Sequence, residues 1–218
     1  MLLKISKYIL CSSLAVISAC SLVSKGPQPN VVYERPDLTN KVEKLIIFPT
    51  TNFEGQETKE TKAFDASING SWIKVYGKDK VIPAGVIIKK VVDSTGKNSY
   101  NGFINTLDNV SSIEQVLNNT NFKKFVSTLT DKISDVSKSK TEYHFALAII
   151  SGGEKEYNAG QPVYLHLGLF DVKNFTWRVV TKIEIKKSNS PLAKWQLDSQ
   201  QAIHNSIKYF QEMNESKK

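Results

Sequence analysis

Between residues 122 and 136 apolar side chains return at Phe122, Phe125, Val126, Leu129, Ile133 and Val136, with Lys123, Lys124, Asp131, Lys132 and Asp135 set between them. This is the 3.6-residue period of a helix that buries one face, and it predicts an amphipathic helix there. Phe64, Ile68, Trp72 and Tyr76 stand four apart and predict a second helix over 61–76, with Gly77 as its C-terminal cap. Gly70 inside that helix costs up to ~1 kcal/mol against Ala, or marks close packing. Ser111 and Glu114 have capping-box spacing ahead of Ile113, Val116 and Leu117, so a short helix is expected there, interrupted at 118–121. A last helix, opened by Pro191, carries the stripe Ile203, Ile207, Phe210 and frays beyond 212.

The remaining apolar runs have the character of strands. An aliphatic run at 44–48 stops at Pro49, which predicts a buried strand followed by a polar loop. Residues 80–82 predict a second strand ended by Pro83; the β-branched stretch 86–92 predicts another, and 93–109 reads as loop. Residues 142–151, 161–171 and 176–187 then read as an antiparallel meander, its second turn being Val172-Lys173-Asn174-Phe175. Pairing Asp171 with Thr176 and Phe170 with Trp177 puts Tyr164, His166, Phe170, Trp177, Val179 and Ile183 on one face. Leu165, Leu167 and Leu169 then share the other face with Arg178, Lys182 and Glu184, giving a covered middle strand and a wetter last strand at the edge. The expected fold is α/β, a two- or three-layer sandwich with a mixed sheet in the order β-α-β-α-β-β-β-α, forming one domain over 41–213 with a disordered tail at 214–218.

The amino terminus carries a different signal. Lys4 and Lys7 precede an apolar stretch, 8–17, too short to span ~30 Å of hydrocarbon as an anchoring helix. Ile17-Ser18-Ala19-Cys20 closes it and resembles the bacterial lipobox, in which small residues are cut before a Cys that becomes diacylated. The expectation is a signal peptide over 1–19, a lipid-bearing Cys20, and a Gly- and Pro-containing tether over 20–40, within which Val31-Val32-Tyr33 is a candidate edge strand. An ordinary secretory signal cut nearby is the alternative, and it leaves the position of Cys20 unexplained. Several acyl chains, at ~0.8 kcal/mol per buried CH₂, hold a protein to a bilayer where a single chain barely does. Ser21 after the Cys resembles lipoproteins sorted to the outer membrane.

Charge and cysteine content narrow the chemistry. The chain holds 29 Lys and Arg against 21 Asp and Glu, and the basic residues are scattered without interleaved aromatics, which favours solubility over nucleic-acid binding. Of its two cysteines, Cys11 lies in the expected leader and Cys20 at the expected lipid site, which leaves no thiol for a disulfide, a thiolate metal site or a nucleophile. His144, His166 and His204 lack metal-ligand spacing, so no metal or other cofactor is expected, and histidines of a sheet are ordinarily satisfied within it. Gly152-Gly153 and Gly160 fit no phosphate-binding pattern and read as turn residues, and no G-x-S-x-G elbow surrounds any Ser. No catalytic residue is assigned; Glu154, Glu156, Asp171, His144 and His166 are what an enzyme would have to draw on. Phe175 and Trp177, at the second hairpin, are the candidate partner-binding residues; the register sets Trp177 against Phe170, where it can be buried, and leaves Phe175 at the loop tip, where an aromatic adds little to a core.

Three short stretches resemble the superfamily that contains the TolB amino-terminal domain, the curli-secretion channel lipoprotein and the penicillin-binding-protein activator lipoproteins. Leu45-Ile46-Ile47-Phe48-Pro49-Thr50-Thr51-Asn52-Phe53 is similar to its opening strand and polar loop, and Val81-Ile82-Pro83 to its second strand. Leu169-Phe170-Asp171-Val172 followed by Thr176-Trp177 is similar to its hairpin, with Lys173-Asn174 where a Gly is usual. The resemblance covers about 41–210 and implies a periplasmic α/β domain tethered to the outer membrane, making contacts with an envelope protein in assembly or secretion. The alternatives are a secretion-pore subunit, a periplasmic enzyme or a small-ligand binder. The pore reading lacks two membrane-crossing hairpins of clean alternation, since Lys89 and Lys90 interrupt the best segment.

Overall fold

The computed structural model describes residues 29–38, 40–53, 57–85, 112–137, 142–187 and 195–215. Among these residues seven strands form one mixed sheet: β1 (Asn30–Glu34), β2 (Lys44–Ile47), β3 (Thr51–Asn52), β4 (Val81–Pro83), β5 (Tyr143–Ser151), β6 (Val163–Asp171) and β7 (Thr176–Ile185). The spatial order is β1-β7-β6-β5-β2-β4, with β3 pairing β5 beyond the end of β2. Among the described residues five helices accompany it: α1 (Lys59–Tyr76), α2 (Ile113–Asn118), α3 (Thr120–Ser137), α4 (Glu154–Asn158) and α5 (Trp195–Glu215). The class is α/β, as the sequence pattern implies.

β2 lies between β4 and β5 and runs parallel to both. Buried on two sides, it is apolar from Leu45 onward: Leu45 and Ile47 join α1 and α5 in one core, Ile46 and the following Phe48 join α2 and α3 in the other. The chain steps from β2 out to β4 through α1, then back past β2 to β5 through α2 and α3. Parallel crossovers keep one hand, so the reversed direction puts the two helix sets on opposite faces. The result is three layers.

Helix boundaries follow local chemistry. Thr58 and Thr61 form a reciprocal capping box at the start of α1, and Gly77, at φ 90°, takes the left-handed position after it. Gly70 has open space where a Cβ would stand, so it is not there for close packing. The cap of α2 is Ser112, whose Oγ accepts from the Gln115 amide at 3.4 Å, one residue later than the Ser111 spacing suggests. Only Asn119 separates α2 from α3, its side chain accepting from the Phe122 amide at 2.8 Å. α5 continues to Glu215, beyond the expected fraying point and into the stretch read as a disordered tail.

Three expectations for the meander are corrected. The Phe170–Trp177 and Asp171–Thr176 pairs are present, but Leu169 faces Val179, leaving Arg178 as an extra residue in a β-bulge. Beyond the bulge every side chain changes face: Val179 and Ile183 join Leu165, Leu167 and Leu169, whereas Val180 takes the Trp177 side. β7 is not the edge, because β1 pairs with it: the candidate strand at 31–33 is the edge strand, and the stretch read as tether enters the sheet from Asn30. A second bulge at Val32 lets Val31 pack into one core and Tyr33 into the other, and turns Val32 outward. The Tyr209 hydroxyl donates to Glu34 at 2.9 Å and ties α5 to this strand. Among the described residues no helix is long and apolar enough to cross a membrane. Cys20, the signal segment, Pro191 and the expected strand at 86–92 lie outside the described residues.

Candidate functional site

The β6–β7 hairpin brings the aromatic candidates and a buried polar corner together. Trp177 is 3% exposed, stacked on Phe122 at 5.4 Å and set edge-on to Phe170 at 5.3 Å. Its six-membered ring also lies over Gly168, where a Cβ would stand 2.6 Å from the ring. Trp177 is therefore core, and it drops out as a contact residue in the folded chain. Phe175 is different: it is 36% exposed and has φ 53°, the only positive φ at a non-glycine among the described residues. A bulky side chain in the left-handed region costs about 1–2 kcal/mol. It has one compensation that the register did not foresee, a T-shaped contact with Phe170 at 5.7 Å.

The turn is held from beneath by Asp171. One carboxylate oxygen accepts from the Asn174 amide and the other from the Asn174 side chain, each at 2.9 Å. Lys173 pairs with Glu142 across the same end of the sheet. Asp171 is fully buried and faces His144, whose Nε2 lies 3.8 Å from a carboxylate oxygen, too far for a hydrogen bond. Both ring nitrogens of His144 lack a hydrogen-bond partner. Burial would raise the Asp171 pKa, but the bonds from Asn174, with His144 and Asn40, outweigh it and hold the carboxyl below its usual range. Burial pushes His144 down to about 4 against the opposing pull of Asp171, so the imidazole is neutral at pH 7.

Arg178 supplies the balancing cation. The bulge buries its side chain completely, and its guanidinium donates from Nη1 to the Asn40 carbonyl and from Nη2 to the Leu38 carbonyl, both at 2.6 Å. Burial lowers its pKa, with Asp171 and the Tyr76 hydroxyl acting against that. Arg178 thereby fastens the segment between β1 and β2 to the sheet. Arg178→Met keeps most of the volume but strands two carbonyls and an unbalanced Asp171, so urea melts should give a loss of about 2–3 kcal/mol.

The other residues considered for chemistry are dispersed. His166 points to the opposite core from His144, against Phe53 at 5.6 Å, and burial followed by Lys182 lowers it to about 4. Glu154 and Glu156 lie in α4, where Glu156 accepts from the Gly153 amide at 2.9 Å and serves as a cap. Among the described residues no three His, Cys, Asp or Glu side chains are grouped to hold a metal. The corner of Asn40, His144, Asp171 and Arg178 was invisible in the sequence, because a strand Arg at an alternating position reads as solvent-facing. No family model matches the chain, and neither a curated protein nor a solved structure matches it.

Proposed function

We propose that this chain is a lipid-anchored protein of the bacterial envelope, held to the outer membrane through Cys20, that binds a protein partner through the hairpin tip at Phe175. The observation that carries the binding role is Phe175 itself: a large apolar ring kept partly exposed on a backbone conformation that disfavours it. Strain of this kind persists where surrounding structure imposes it, here the two Asn174–Asp171 bonds. The α/β sandwich is compatible with a TolB amino-terminal-domain-like scaffold, and that finer assignment is part of the proposal.

Phe175→Ala should reduce partner capture by tenfold or more while changing stability by less than ~1 kcal/mol, since the ring is partly exposed and its contact with Phe170 is worth about that much, while Ala keeps the Cβ that meets the backbone. Affinity capture from solubilised envelopes, paired with urea melts, reads both quantities. The anchor has its own test. Membrane fractionation should find the unaltered protein with the outer membrane and Cys20→Ala in the soluble periplasmic fraction; equal partitioning removes the anchor from the proposal.

A further inference from the structure

We propose that His144 is an acid-operated latch on the hairpin tip: on taking a proton from solvent, its imidazole draws the Asp171 carboxylate away from Asn174 and frees the turn that presents Phe175. The geometry places one carboxylate between two claims. Asp171 Oδ2 accepts from the Asn174 side chain at 2.9 Å and stands 3.8 Å from His144 Nε2. A neutral imidazole exerts little pull across that gap. A protonated one is a buried cation, whose nearest acceptor is the same carboxylate oxygen.

The groups that face this pair come from each neighbouring element. Arg178 on β7 and Glu142 ahead of β5 act on His144, Tyr76 on α1 acts on Arg178, and Asn40 acts on Asp171. Glu142 is already engaged by Lys173, and the Arg178 guanidinium is occupied by the Leu38 and Asn40 carbonyls. A second cation in the corner therefore has Asp171 as its available counter-ion. Asp171 is kept in its ionised form by the bonds from Asn174, with His144 and Asn40, which hold its carboxyl below the usual range against the effect of burial. With Asn174 released, the Asp171–Thr176 strand pair and the Lys173–Glu142 ion pair still close the base of the turn, and at the tip Phe175, at φ 53°, keeps its ring contact with Phe170.

The consequence for partner binding rests on the role proposed for Phe175, whereas the latch itself is read without any partner. Amide exchange of the purified full-length protein, corrected for intrinsic rates, should give protection at Asn174 that falls roughly tenfold or more between pH 6.5 and 4.5 while Leu147 and Leu167 in the central strands stay protected. In His144→Gln the Asn174 protection should be flat over that interval. If it falls as in the unaltered protein, or falls in step with Leu147 and Leu167, the latch is wrong. Should His144→Gln fail to fold, NMR titration of the unaltered protein decides: coincident midpoints for the His144 ring and the Asn174 amide support the latch, and separate midpoints overturn it. A working latch together with partner capture indifferent to Phe175→Ala would overturn the binding role alone.

Discussion

Trp177→Ala should destabilise the protein by about 3–5 kcal/mol, the range for removing a large buried aromatic. The ring is stacked on Phe122, edge-on to Phe170, and covers Gly168, so its removal opens a cavity between α3 and the sheet. Its coupling to Gly168 gives a sharper test than the single loss. A Cβ at 168 would stand 2.6 Å from one ring carbon and 3.1 Å from another, so Gly168→Ala should cost about 1–3 kcal/mol by overpacking. In the Trp177→Ala background the same change should be neutral or stabilising, because a methyl then enters vacant space and Ala suits a strand better than Gly. Urea unfolding of the four proteins measures the coupling; additive losses would place the indole elsewhere.

Acidification should remove more stability than any single substitution above. His144 and His166 are buried on opposite faces, and burial lowers each to about 4. In the unfolded chain both return to ~6.5, so between these values the unfolded state binds more protons and stability rises with pH. The full contribution is present above about pH 6.5, falls progressively below it, and is gone as the pH passes through 4. Each histidine accounts for about 2–3 kcal/mol by pH 4.5, together on the order of 5 kcal/mol, a large share of a domain's usual margin. Urea melts at pH 7 and 4.5 should differ by that amount, and by about half as much in His166→Leu. A stability independent of pH across this interval would mean that both imidazoles reach solvent.

The parts of the fold that were legible are those whose patterns repeat over several turns. α3 carries four buried residues on one helical face, and β5 to β7 are long apolar strands bounded by turn residues. What escaped is local. The bulge at Arg178 lies in a run of good strand formers, with no Gly or Pro to mark it, and it moves Val179 and Ile183 across the sheet. β1 was ambiguous because a short strand after Pro29 has the composition of a tether until a partner strand satisfies its backbone groups. Two adjacent serines, 111 and 112, made the α2 cap undecidable by spacing. At the hairpin the division of the aromatics was legible, because the register sets Trp177 against Phe170 and leaves Phe175 at the tip, but the stacking of Trp177 on Phe122 was not, since it comes from a helix some fifty residues away. The polar corner needed the bulge to exist, so no sequence pattern announces it.

The measurement that bears most directly on the central claim is photo-crosslinking in intact cells, with a photoreactive residue in place of Phe175 and, as control, in place of Ile73. The two side chains are about equally exposed, at 36% and 39%, but Ile73 lies on the outer surface of α1. A discrete protein adduct is expected at 175, identifiable by mass spectrometry, and none of matching yield at 73. The same adduct at both positions, or an adduct at 73 alone, would contradict the claim.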